Sequence, residues 1–288
     1  MSVKLYQLGS SSITTYYGGE KLNQKMGYII ITENGKIIVI DGGYRDEAEN
    51  FLKLIKSISA DKPVISAWFL THLHDDHIGL FEEVIKKHSL DVVIENVYYN
   101  FPTRDELKTL WKGAVIPTYD AFFENFEKFK DKIKLVQKND VFEIDSVRFE
   151  VLFVPINRYS ESKNINNTSI VIRMETGEQS VLFLADLAEP AGGDFIKEVN
   201  ADKIKADIVQ MAHHGQCGVS RAVYEKVAPL CCLWCAPDWL WDNDIGKGFN
   251  THGFQTVEVR RWMDELGVKQ HFVIKDGTQV LELPMDFE

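Results

Sequence analysis

The chain has 288 residues, 45% hydrophobic and 26% charged, with a formal charge of −11 at pH 7. That balance suits a soluble globular fold, and the acidic excess argues against an extended nucleic-acid-binding face. No apolar stretch reaches the length of a membrane span, and residues 1–19 lack a basic start followed by an apolar core. Neither a membrane partner nor export is therefore expected, and the expected compartment is cytoplasmic.

Residues 3–8, 28–32 and 36–40 read as strands, the last two joined by a Glu33-Asn34-Gly35 turn. The third ends in Asp41-Gly42-Gly43, which on its own is a turn. Residues 46–57 form an amphipathic helix with Ala48, Phe51, Leu52 and Ile55 on its apolar stripe. Residues 64–70 are apolar and β-rich, a buried strand, and Ile78, Leu80, Phe81, Val84 and Ile85 then recur at helical spacing. Between them lies Thr71-His72-Leu73-His74-Asp75-Asp76-His77-Ile78-Gly79, which holds three of the eight histidines in the chain. Neutral imidazole and carboxylate are ligands that Zn²⁺, Fe²⁺ and Mn²⁺ accept, and a strand-to-helix turn lets them converge. A metal site is expected here.

Residues 92–99 read as a strand and residues 100–130 as an irregular, aromatic-rich insert. Phe122, Phe123, Phe126 and Phe129 sit near helical spacing and suit the core, whereas Phe101 and Trp111 are either core or the lining of a substrate pocket. Strands follow at 134–136, 142–144 and 147–154. Residues 167–172 and 181–186 make a hairpin whose second strand delivers Asp186, a carboxylate able to offer one oxygen to each of two cations. Asn166 and Asn167 begin glycosylation sequons, which carry no meaning without secretion. The strand 207–212 ends in His213-His214-Gly215; a helix at 220–227 and a buried strand at 230–235 come next. Of the four cysteines, Cys217, Cys231, Cys232 and Cys235, three crowd that strand, so reduced thiols are expected rather than a disulfide framework. Cys232 and Cys235 have CxxC spacing but no second pair, and are taken as core. Asn250-Thr251-His252-Gly253 precedes a helix at 254–266, and strands at 271–274 and 280–283 flank an Asp276-Gly277 turn. His88 and His271 have no sequence partners and read as surface or structural residues. With no repeat or linker, one domain spanning 1–288 is expected.

The run His72, His74, Asp76, His77 fits His-x-His-x-Asp-His, and with it the chain resembles the metallo-β-lactamase superfamily. The order of Asn-x-Ser, Asp186, His213-His214-Gly215 and a His-bearing loop before a C-terminal helix is similar to the soluble hydrolase domain of the ComEC DNA-uptake proteins and its standalone relatives. The resemblance implies an α/β (α+β) fold, a four-layer αββα sandwich. It also implies two divalent metals, zinc first and manganese or iron as alternatives, and a hydroxide held between them that attacks a phosphodiester or related phosphoester. On that reading His72, His74 and Asp186 hold the first metal. Asp76, His77, Asp186 and His213 hold the second, His213 being preferred to His214 as nearer the strand end. Asp41 would orient a metal-binding His, Asp76 would also hold the hydroxide, and His214 would touch substrate or orient a ligand. His252 is the candidate to protonate the leaving oxygen or to bind a phosphate oxygen. The chain departs from the family in one respect. The third imidazole of the first site, expected near Val154-Pro155, is missing, for no histidine lies between His88 and His213. Asn157 or a water would stand in, and the first site should be weaker. Two alternatives follow: a thioester, lactone or β-lactam hydrolase of the same fold, and a degenerate member that binds metal or ligand without catalysis. The expected partner is a small-molecule, cell-wall or nucleotide phosphoester; oligomeric state is left open.

Overall fold

The computed structural model describes residues 2–10, 15–17, 20–59, 61–110, 112–113, 115–155 and 164–287. The two most continuously apolar segments, Ile37–Asp41 and Val64–Leu70, take the centre of an eight-stranded sheet, where both faces are covered. That sheet comprises β1 (Val3–Gln7), β4 (Gly27–Ile31), β5 (Ile37–Asp41), β6 (Val64–Leu70), β7 (Val93–Ile94), β8 (Val97–Tyr99), β9 (Ile133–Leu135) and β17 (Gln279–Leu283). The order is β17-β1-β4-β5-β6-β8-β9, with β7 beside β6, and β2 (Thr15–Tyr17) pairs with β3 (Glu20–Leu22) as a separate hairpin. A second, seven-stranded sheet runs in chain order through β10 (Val141–Ile144), β11 (Val147–Phe153), β12 (Val171–Glu175), β13 (Ser180–Phe183), β14 (Ile208–Gln210), β15 (Cys231–Trp234) and β16 (Gln270–Val273).

The strand period of two sends neighbouring side chains to different layers. Phe69 enters the core shared by the two sheets, with Ile38, Phe149 and Ile172, while Trp68 packs outward against Phe51 of α1 (Ala48–Ile58) and Phe81 of α2 (Asp75–Lys87). On the far side, Phe195, Tyr224 and Met263 bring helices Ala191–Glu198, Arg221–Val227 and Thr256–Glu265 onto the second sheet. Each such buried side chain stabilises the fold by roughly 1.5–3 kcal/mol. The layers are helix, sheet, sheet, helix, as expected. Among the described residues no helix is long and apolar enough to cross a membrane.

Each sheet contains a parallel part: β5, β6, β8 and β9 in the first, β13 to β16 in the second. In open parallel sheets the carboxyl ends of strands are where ligands gather. Asp41 ends β5, the histidine motif follows β6, and Asp186 and His213 follow β13 and β14.

Three segments differ from expectation. The strand at 92–99 is broken at Asn96, whose carbonyl and amide instead bond Trp68 N (2.9 Å) and Ser66 O (3.0 Å). The 100–130 insert is not irregular: α3 (Arg104–Leu110), α4 (Ile116–Glu124) and a turn of helix at Phe126–Phe129 organise it around the buried Phe122. The segment before β12 is a 3-10 turn, Ile165–Thr168, capped by the Asn164 side chain on Asn166 N (3.1 Å).

Candidate metal centre

The first sheet supplies a loop whose ring orientations are fixed from behind. Asp41, fully buried and left-handed (φ 53°), accepts from Thr71 N (2.8 Å), Thr71 Oγ1 (2.7 Å) and His77 Nδ1 (2.8 Å). With Nδ1 donating, His77 presents its other nitrogen, Nε2, to Asp186 Oδ1 at 3.1 Å. The Thr71 hydroxyl has given its proton to Asp41, so at 3.2 Å it accepts from His72 Nδ1, and His72 Nε2 is left facing His74 Nδ1 at 3.1 Å. Gly79 closes the motif where a Cβ would lie 3.1–3.3 Å from the backbone of Gly43 to Arg45. Asp41 thus holds His77, and through Thr71 it holds His72.

The second sheet supplies its groups from strained turns. After β13, Ala185 adopts φ 50° and is clamped by Gln210, which accepts from Ala185 N (2.5 Å) and donates to Ala185 O (3.1 Å). This sets Asp186, 1% exposed, against both loops. After β14, His213 (φ 51°) and His214 (φ 59°) are consecutive left-handed residues, each costing roughly 1–2 kcal/mol. Gly215 (φ 86°) continues the turn, where a Cβ would meet Trp234 at 2.3 Å. His214 donates from Nδ1 to Cys235 O (3.2 Å) and directs Nε2 at Asp76 Oδ2 (3.1 Å) and Asp186 Oδ2 (3.5 Å). His213 Nε2 stands 3.0 Å from Asn166 Nδ2 and 3.9 Å from Asp186 Oδ2.

Among the described residues, two groups have ligand atoms all within 4.8 Å of one another: His72, His77 and Asp186, and Asp76, His77 and His214. The structure therefore puts His214, not His213, beside Asp76 and His77, because the double left-handed turn swings the second imidazole inward. His74 reaches the first group through His72. Burial alone would discharge these rings, and it holds His72, His74 and His213 below the ordinary histidine range. For His77, Asp186 and Asp41 outweigh burial and lift the ring to about 10; for His214, Asp186 and Asp76 do the same, again to about 10. Burial pushes Asp186 up, yet the facing His77, His214 and His213 hold it well below the carboxylate range. His77 Nε2, His214 Nε2 and Asp186 Oδ1 are nonetheless buried without a hydrogen-bond partner. Without metal, these rings and the buried carboxylates offset one another by sharing protons; a divalent cation would take the protons' place on the same donor set, so the residues present fit the metals.

A cavity of about 740 Å³ opens onto this cluster, walled by Gln24, Tyr44, Arg45, Val115, Thr118 and His213 among others. Arg45 pairs with Asp75 (2.6 Å) and with Glu82, and Thr118 donates to Asp75 at 3.2 Å. The insert does reach the cavity, through α4 and the residue before it rather than through Phe101, which is 6% exposed and packed in the outer core with Phe122. Trp111 and Asn157 lie outside the described residues. His252 is not among the cavity's lining; its ring packs on Phe254 at 4.0 Å. His88 sits 3.3 Å from Asp91, and His271 accepts from Trp234 Nε1 at 3.0 Å. Cys231, Cys232 and Cys235 are buried free thiols in the core, and Cys217 is free and exposed. Sequence reading missed the wall of Gln24, Tyr44, Arg45 and Thr118, and also Asn166; the position of Arg45 just past a strand end was the available signal.

A two-sheet sandwich carrying His and Asp side chains at one shared edge defines the class. The profile of the metallo-beta-lactamase superfamily matches residues 26–230, and the chain belongs to that family, whose fold characteristically binds metal ions. It is 30% identical over 155 residues to ComE operon protein 3 of Bacillus subtilis, covering 54% of this chain and 17% of that protein. It is 28% identical over 123 residues to the metallo-beta-lactamase fold-containing protein ST1585 of Sulfurisphaera tokodaii, covering 41% of this chain and 44% of that one. In both cases the match spans less than half of the relative's length. Among solved structures, YhfI from Bacillus subtilis, a metallo-beta-lactamase fold protein, superposes with a TM-score of 0.55 at 14% identity, over 98% of this chain and 100% of that one.

Proposed function

We propose that the chain is a hydrolase dependent on two divalent metals, zinc in the first instance, that cleaves a phosphodiester or related phosphoester. The observation that carries the proposal is the convergence of His77 Nε2 and His214 Nε2 on Asp186 and Asp76, at 3.1–3.5 Å, with His214, Asp76 and Asp186 lining the cavity. His72, His74 and Asp186 would hold one cation; Asp76, His77, Asp186 and His214 would hold the other. Bound there, such cations supply charge neutralisation for an anionic ester and lower the pKa of a coordinated water. The chain's own residues do the rest. Asp41 and Thr71 hold the far nitrogens of His77 and His72 as donors, which turns both Nε2 atoms toward Asp186, at 3.1 and 3.8 Å. Asp76 is anchored by His214 through Oδ2, so its other oxygen can accept a proton-bearing group of the substrate or a water. Arg45, on the cavity wall, adds a cation suited to an ester oxygen, and α4 with Val115 limits the size of what enters. His252 lies outside that lining and is given no step.

The test is a hydrolysis panel on zinc- and manganese-loaded protein: a phosphodiester, a phosphomonoester, a thioester, a lactone and a β-lactam. Phosphodiester turnover that Asp76→Ala abolishes, with the variant still folded, supports the proposal. Turnover confined to the thioester or lactone would replace it with the acyl-hydrolase alternative. Absence of any turnover by metal-loaded protein favours the non-catalytic reading that the missing third histidine raises.

A further inference from the structure

We infer that Asp75 and a phosphate oxygen of the ligand exchange on one arm of Arg45, while Glu82 anchors the other arm and so positions the guanidinium. The inference rests on the reading above that an anionic phosphoester enters this cavity. Asp75 and Glu82 stand seven residues apart on α2, two turns along one face, and the guanidinium spans them. The backbone beside Arg45 is pinned to the same helix: Gly43 N donates to His77 O (3.1 Å), and Gly43 O accepts from Leu80 N (2.7 Å). Side chain and backbone are therefore fixed on the helix that carries the histidine motif.

The two arms are unlike. Nη2 meets Glu82, whose side chain is 4% exposed, and breaking an ion pair there would leave a buried charge without its partner. Nη1 meets Asp75 Oδ2 at 2.6 Å, but that side chain is 45% exposed and lines the cavity together with Arg45. Exposed pairs of this kind contribute little, so an incoming anion can replace the carboxylate. The released Asp75 keeps two sources of support: Thr118 donates to its Oδ1 at 3.2 Å, and the first turn of α2 favours negative charge. A guanidinium presents five N–H groups in a fixed fork that suits phosphate oxygens, so the freed arm offers more than a point charge. A neutral thioester or lactone brings no charge to exchange for Asp75. The arrangement therefore favours esters of phosphorus, and Asp75 is the residue that sets the preference.

The experiment is phosphate binding, not turnover. Inorganic phosphate is titrated calorimetrically into zinc-loaded wild type, Asp75→Asn, Asp46→Asn, Arg45→Gln, Glu82→Met and Glu82→Gln. Each protein is first checked for fold by circular dichroism and matched to the others in zinc content. Asp75→Asn should bind phosphate about fivefold more tightly, because one arm of Arg45 then stands free. Asp46→Asn removes a carboxylate of the same wall that is not bonded to Arg45, and should change affinity less than about twofold. Arg45→Gln should weaken binding at least about tenfold, and should cancel the gain of Asp75→Asn in the double variant. Glu82→Met also removes a negative charge, yet should weaken binding about fivefold. Glu82→Gln, which keeps an acceptor for Nη2, should recover most of that loss. Opposite signs at the two carboxylates are the signature, since a general field effect would tighten binding in both variants. Equal gains in Asp75→Asn and Asp46→Asn, tighter binding in Glu82→Met, or a gain that survives Arg45→Gln overturns the inference. Phosphate affinities in the expected order without any turnover would sink the hydrolase reading and leave the exchange standing. An active phosphodiesterase whose phosphate affinity ignores Asp75→Asn would do the reverse.

Discussion

The two halves of the metal centre are built on opposite plans. On the first sheet, the far nitrogens of His72 and His77 are both held: Asp41 receives three hydrogen bonds of 2.7–2.8 Å, and Thr71 relays the support to His72. On the second sheet, Ala185, His213 and His214 are left-handed, and His213 Nδ1, Asn166 Oδ1 and Asp186 Oδ1 are buried without hydrogen-bond partners. One half is preorganised by hydrogen bonding; the other stores backbone strain and unsatisfied atoms that a cation would relieve. The contrast teaches that affinity for metal should be sensitive to different things on the two sides.

The largest expected effect comes from the group that joins the halves. Asp186→Ala removes the carboxylate facing His72, His77 and His214, and should lower the turnover of a metal-loaded enzyme by about 10³-fold or more while releasing at least one metal. Unaltered metal content would break the idea that the halves meet at this residue. Next is the strained turn. Gly215→Ala places a Cβ 2.3 Å from Trp234 at φ 86°, and should destabilise the protein by about 2–4 kcal/mol in urea unfolding. A loss below about 0.5 kcal/mol would show that the second half is more plastic than its geometry implies. On the preorganised side, Asp41→Asn keeps the shape but removes the charge behind His77. Metal affinity should fall about 10–100-fold, seen in a chelator competition, and an equal loss at both sites would blur the comparison.

The same contrast explains what could be read from the sequence. The motif of the first half lies within His72 to His77, so its spacing announced both the site and the turn that carries it. Asp186 was legible too, as an acid at the end of an apolar strand. The choice between His213 and His214 was not, because it depends on φ angles that only packing against Trp234 and Gly218 imposes. The contact between Asn166 and His213 was hidden for a similar reason: it joins residues 47 positions apart. The fold fared alike. The buried runs at β5 and β6 declared the first sheet, whereas in the aromatic insert only the near-helical spacing of Phe122, Phe123, Phe126 and Phe129 hinted at α4 and the turn after it, and α3 was concealed. The wall formed by Arg45 and Thr118 arises from that packing, and spacing alone does not reveal it.

The smallest effect tests an exception within the ordered half. Glu82, on α2, is 3% exposed and pairs with Arg45, yet its Oε1 has no hydrogen-bond partner. Burial outweighs the attraction of Arg45 and lifts its carboxyl from the ordinary 4.5 to about 7. A folded-state pKa above the unfolded one means that the folded protein binds the proton more tightly. Stability from this group is therefore full below about pH 4.5 and is lost as pH rises through 7. The unfolding free energy of the wild type minus that of Glu82→Gln, in urea with chelator present, should fall by on the order of 2 kcal/mol between pH 5 and pH 8. Arg45 gains a charged partner over the same range, so its hold on the cavity wall should tighten while the fold beneath it weakens. A difference that stays flat across these pH values would mean that water or Arg45 already satisfies Glu82, and that the first half carries no strain of its own.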